Sequence, residues 1–244
     1  MTPGIYSIAS GLNARWQQQE VSAKNISGAA INGYKRQVVA FGSFQQVLHK
    51  SMTPDVNASQ LNNPLPYVHN AQYNFEGGAH KNTGGALDAA IDGPGFFEVQ
   101  TAQGNKLTRN GHFVVNAESQ LVNQAGHLVM GDSGPITITG KDPKIENDGN
   151  VVVDGTIVAK LRVVNVAKPA ELESDGGELF SFGEQKPEAI ENAKINAGCL
   201  ESSNVELPQE MVSMIQNQRM YDLLTRALQT QDEGIGKGLQ DISS

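Results

Sequence analysis

The sequence predicts an α+β fold, with helices at both ends of the chain forming a coiled-coil-like core domain and an all-β domain inserted between them. Three observations carry that expectation. Apolar residues recur at alternating spacings of 4 and 3 near both termini. Short apolar runs bounded by Gly-containing turns fill the middle. A stretch rich in Asn, Pro and Gly separates the first helix from the β region. Helical ends around a β middle bring the two termini together, and 244 residues suffice for a sizeable core.

Thr2-Pro3 suits a helix start, since Thr can cap free N–H groups and Pro fits the first helical position. Ile5, Ala9, Leu12, Trp16, Gln19, Ala23 and Ile26 then form a heptad seam with one polar member, Gln19. Gly28 reads as a left-handed helix stop. A helix of this length spans about 37 Å. Ser7, Ser10, Gly11 and Asn13 weaken its intrinsic propensity, so its stability must come from packing.

The C-terminal helix mirrors the first. Leu207, Met211, Met214, Gln218, Tyr221, Thr225 and Leu228 repeat the 4 and 3 spacing, with Pro208 in the first turn. Val212, Ile215 and Leu224 widen its apolar face beyond one stripe. Gln19 and Gln218 sit near the middle of the two seams, where a buried polar residue fixes register. The seams fit pairing inside one chain and packing between chains equally well.

Residues 37–85 lack periodicity and read as an extended linker. Apolar runs at 96–99, 112–115, 120–122, 127–130, 136–138, 151–153 and 157–164 read as strands. Asp92-Gly93, Asn110-Gly111, Ala125-Gly126, Asp148-Gly149 and Asp154-Gly155 mark the turns of a meander. Residues 183–199 read as a polar, weakly helical connector. The domains are therefore 1–36 with 200–244 (terminal helices), 37–85 (linker) and 86–199 (β middle with connector).

Composition excludes several function classes. Hydrophobic content of 39% and charged content of 18% fit a folded chain. A net charge of -8 argues against a nucleic-acid partner. Lys35-Arg36 is too short for a basic patch and reads as solvated surface. Cys199 stands alone, so it forms neither an internal disulfide nor a cysteine-based metal site. The five His lack metal-ligand spacing, Gly93-Pro94-Gly95 opens no helix, and no nucleophile elbow occurs. No cofactor, metal, catalytic residue or small-molecule substrate is expected. Asp88 and Asp92 could form a carboxylate pair, but acids beside Gly turns are ordinary. The N-terminus lacks the basic start and apolar stretch of a secretory signal.

Three stretches together resemble the rod and hook proteins of the bacterial flagellar basal body. The first is 23–36, with Asn25 in an Ala-x-Asn-Ile core followed by Gly33-Tyr34-Lys35-Arg36. The second is 87–99, containing Gly93, Gly95 and Phe96, followed by Thr108-Arg109-Asn110-Gly111. The third is Leu200-Glu201-Ser202-Ser203-Asn204-Val205, leading into the terminal helix. Gly28 departs from the family's usual Asn and is expected to loosen the turn. The resemblance implies a structural subunit that polymerises through its terminal helices into a tube crossing the periplasm. Its partners would be copies of itself, other rod and hook proteins, and the flagellar type III export apparatus. One β domain and a short chain favour a proximal rod position, with the distal rod next. The alternatives are a β-rich adhesin or carbohydrate-binding module, disfavoured because Trp16 lies on a helix seam, and a hydrolase using Asp88 or Asp92.

Overall fold

The computed structural model describes residues 3–39, 41–43, 66–68 and 72–243. Among the described residues, two long α-helices flank a β-rich centre in sequence: α1 (Pro3–Gly28) and α2 (Leu207–Ser243). The chain divides into two compact units. One comprises 1–26, 37–72 and 206–244, and the other 27–36 and 73–205.

Within the first unit the two helices touch side by side. Gln19 Nε2 donates to Gln218 Oε1 at 3.0 Å, and Asn217 Nδ2 donates to the Arg15 carbonyl at 2.7 Å. A methyl group added at Gly11 would meet Leu224 Cδ1 at 3.6 Å. Residues 11 and 15 thus face 224 and 217, an antiparallel arrangement. The buried face of α1 is small and polar: Ala14, Ser22 and Asn25 are buried, and Ser7, Gly11 and Gln18 are half-buried. On α2 the buried side chains are Glu210 and Asn217, flanked by half-buried Met214, Tyr221, Leu224 and Leu228.

The second unit is an antiparallel β structure. Among the described residues its main sheet runs in the order 173–174, 179–181, 104–108, 96–101, 128–131, 121–123, 113–115. Val163–Asn165 pairs with Phe96-Phe97 on one side and Glu188–Ala189 on the other. A smaller sheet joins Lys144–Ile145, Asn150–Val153 and Thr156–Lys160. Hairpins form at three of the predicted Gly turns, Ala125-Gly126, Asp148-Gly149 and Asp154-Gly155, the last with positive φ at both residues, 51° and 81°. The strands flanking Asp92-Gly93 and Asn110-Gly111 instead pair elsewhere. The order is not a simple meander, because 96–101 takes 128–131 as a non-local neighbour. The main core collects Phe97, Val99, Phe113, Leu121, Val129, Ile136, Val151 and Val163.

Three expectations change. The 136–138 run contributes one isolated bridge, Thr137 to Gln120, with Ile136 and Ile138 turned into the core. Residues 183–199 contain no helix. Lys194–Ala197 pairs with Ala89–Asp92, and Cys199–Glu201 pairs with His80–Asn82. In these two strands Ile195, Leu200 and Glu201 are buried, while Lys194 is exposed. Much of the linker, 40, 44–65 and 69–71, lies outside the described residues. Its end is not free: Phe75 packs on Phe96 and Phe180 with centroids 5.5 and 5.2 Å away, and Tyr73 on Phe180 at 5.1 Å. These contacts build a second apolar cluster with Leu107, Val164 and Leu172.

Gly28 is the last residue of α1 but not a left-handed stop; the positive φ belongs to Gly33, at 70°. A Cβ at Gly28 would lie 2.4 Å from the ring of buried Tyr34. The glycine therefore tightens this turn rather than loosening it. Gly28→Asn is expected to destabilise the chain by about 1–3 kcal/mol, as overpacked sites do. A urea titration showing no loss would contradict this packing.

Candidate functional site

The family-motif stretches meet in one buried junction of the second unit. Tyr34-Lys35-Arg36 follows the turn at 31–33, and Gly33 N–H donates to the Glu201 carbonyl at 2.7 Å. A Cβ at Gly33 would lie 2.4 Å from the Arg109 backbone, so this position requires glycine on both conformation and space. Lys35, predicted as solvated surface, is instead 1% exposed. Its Nζ lies 2.6 Å from Glu201 Oε1 and 2.7 Å from the Glu76 carbonyl. Arg109 Nη1 reaches Glu201 Oε2 at 3.2 Å, and Nη2 donates to the Gly93 carbonyl at 2.7 Å. The Arg109 guanidinium also lies 5.3 Å from the centroid of the Phe96 ring. A lysine can be buried when its charge is matched, and the matching carboxylate is 166 residues away in sequence.

Glu201 is the hub. It faces two cations and also accepts Gly78 N–H at 2.9 Å. Burial pulls the Lys35 ammonium below its ordinary pKa of 10.5, against the opposing pull of Glu201, and holds Arg109 below its usual range for the same reason. Asn204 adds neutral ties. Its Oδ1 accepts Arg36 N–H at 2.7 Å, and its Nδ2 donates to the carbonyls of Asn74 and Glu76. Val205 N–H donates to Ser203 Oγ. In the first unit, Asn25 exchanges two bonds with the backbone of Gln37, at 2.8 and 2.9 Å.

The motif residues Asn25, Gly33, Tyr34, Gly93, Gly95, Phe96, Asn204 and Val205 thus hold backbone and packing positions. The ionic members Lys35, Arg109 and Glu201 escaped the sequence reading, although all three lie inside the quoted motif stretches. Asp88 is buried, bonded by Thr83 Oγ1 and by His112 Nδ1, the latter at 2.6 Å. It borders a cleft of about 430 Å³, whereas exposed Asp92 lines a different cleft of about 590 Å³ beside Phe75 and Arg109. The two carboxylates do not flank one cleft, as a glycosidase pair would.

The second feature is apolar surface. On α1, Ala9, Trp16 and Ala23 are exposed, Trp16 to 57%, while Leu12, Gln19 and Ile26 are half-buried. The side chain of Ile5 lies outside the described residues. On α2, Leu207, Met211 and Gln218 are exposed, together with Val212, Ile215, Met220 and Leu223. At about 100° per residue, the exposed seam of α1 lies roughly opposite its buried face. Ile215, Val212 and Leu223 likewise point away from Asn217 and Glu210 on α2.

Comparison with known proteins gives these features a context. Residues 90–158 match the family model described as the flagellar hook protein FlgE/F/G D1 domain. Residues 196–241 match that described as the flagellar basal body rod FlgEFG protein C-terminal. The chain is 30% identical over 221 residues to the flagellar basal-body rod protein FlgF of Caulobacter vibrioides, covering 87% of this chain and 86% of that one. The chain belongs to the flagellar rod and hook family. Within this family it is also 27% identical to FlgG of Buchnera aphidicola from Acyrthosiphon pisum, over 97% of this chain and 98% of the relative. Its identity to FlgF of Salmonella typhimurium is 28%, over 100% and 99% of the two chains. It is accordingly a structural rod subunit of the basal body, a family role that assigns no catalysis. The two rod-family models cover both the start of the β region and the segment from 196 onward that carries Glu201 and Asn204.

Proposed function

We propose that the chain polymerises through its terminal helices into a helical tube that crosses the periplasm and transmits torque. The observation that carries this reading is the apolar stripe left exposed on both helices, on the sides turned away from their mutual contact. An isolated soluble chain gains nothing from exposing Trp16, Ile215 and Leu223, and contiguous apolar surface of this kind marks an interaction site. The stripes of Ile5, Ala9, Leu12, Trp16, Ala23 and Ile26, and of Leu207, Met211, Val212, Ile215 and Leu223, are the proposed contacts between copies and with other rod and hook proteins. Contact between unlike faces of identical chains is heterologous and, if it does not close, builds a filament. In this reading the helices form a coiled-coil-like core with the β unit inserted, with domain limits near 1–36, 86–199 and 200–244. Export proceeds through the flagellar type III apparatus without signal cleavage, and the chain has no enzymatic role. A single β unit in a short chain supports a proximal rod position.

Trp16 gives a direct test, because it is the chain's one Trp. As concentration rises and the chain assembles, its emission should move to shorter wavelength and become protected from quenchers. Assembly that leaves Trp16 fully quenchable would refute the role given to the α1 stripe.

A further inference from the structure

The segment 194–204 occupies an unusual place in the second unit. It lies at the C-terminal edge of that unit, yet it binds its earliest parts. Ala197 to Lys194 pairs along Ala89–Asp92, and Cys199–Glu201 pairs along His80–Asn82. Gly198 N–H donates to the Asp88 carbonyl, and Ser202 N–H to that of Ala79. Ile195 enters the main core. Glu201 meets Lys35 and Arg109, and Asn204 meets Arg36, Asn74 and Glu76.

Without this segment, Lys35 and Arg109 would be buried with no carboxylate between them. Residues 89–92 would lose a paired neighbour, and part of the main core would open. A buried charge stripped of its partner is among the most destabilising changes a fold can suffer. Two such charges at one junction would reach a large part of the stability a domain of this size possesses.

We propose that residues 194–204 are a closing latch: the β unit has no stable folded form until they seat. Strands 96–165 carry most of the apolar core, but they do not hold as a free-standing intermediate. A fragment cut to 86–182, without the latch, is therefore expected to lack a cooperative fold. A chain still awaiting its last fifth keeps the β unit open. For a subunit proposed to be exported unfolded, on which reading this consequence rests, the latch delays folding until nearly the whole chain exists.

Native-state hydrogen exchange on the full chain tests the latch separately from the assembly reading. Amides of Val99, Leu107 and Val129 in the central strands and of Ile195 and Leu200 in the latch should open as one unit. Their protection should agree within a factor of about ten and respond equally to denaturant. Glu201→Gln should lower both groups together, by about a hundredfold or more. The proposal is overturned if the wild-type central strands stay protected while the latch exchanges by a separate, easier opening. It is equally overturned if Glu201→Gln lowers the latch alone. Either failure leaves the Trp16 test of the rod reading untouched.

Discussion

Glu201→Ala should cost the chain about 3–5 kcal/mol, enough to move its β unit to the edge of unfolding. The side chain is 1% exposed and stands between two cations that are also buried. Removing it strands Lys35 and Arg109 together and leaves Gly78 N–H without its acceptor. Far-UV circular dichroism of the β signal during urea titration reads the effect, since the single Trp lies in the other unit. Glu171→Ala, which breaks an exposed pair with Lys168, should leave the midpoint unchanged. Charge, rather than lost packing, is the cause if a second change helps. Adding Lys35→Met to Glu201→Gln removes one of the two stranded cations and should recover part of the loss. A double variant as unstable as the sum of its singles would contradict the electrostatic account.

The second large effect is expected on assembly and not on folding. Ile215 and Leu223 are 54% and 59% exposed, on the side of α2 away from its buried face. Ile215→Asp with Leu223→Asp should leave the monomer's melting curve unchanged within error. The same pair should abolish polymerisation, because each carboxylate would be buried against a neighbour at a cost of several kcal/mol if left unpaired. Sedimentation across a concentration series distinguishes the outcomes. A variant that assembles at the wild-type concentration would remove α2's outer stripe from the contact. Leu228→Asp is a less clean probe, since Leu228 is half-buried on the inward side and its loss would also disturb the contact with α1.

Much of the fold was legible along the chain. The extent of α1, the start of α2, the tight turns and most strands follow from period, Gly placement and Pro placement. The strands at 194–197 and 199–201 were not legible, because they are short, mix polar with apolar residues and have partners more than 100 positions away. Nor was 188–189, a two-residue strand of exposed side chains paired with 164–165. Glu201 illustrates the limit at a single side chain. In sequence it is one acid in a motif, and only its contacts distinguish it from the exposed ones.

By itself the sequence determined the helical ends, the β middle, the family resemblance and the apolar stripes of both helices. Local spacing encodes these, since a helix or strand displays its period wherever it packs. Tertiary structure alone decided which helix face is turned inward. On α1 it chose Ala14, Ser22 and Asn25 over the exposed seam of Ala9, Trp16 and Ala23, whereas on α2 it set Met214, Tyr221 and Leu228 of the seam half-buried beside Asn217. Periodicity reports which residues seek cover, but not which neighbour provides it. Only the folded chain, likewise, could turn Lys35 from a presumed surface charge into a buried one, because a charge is worth burying only where its counter-charge has been brought beside it.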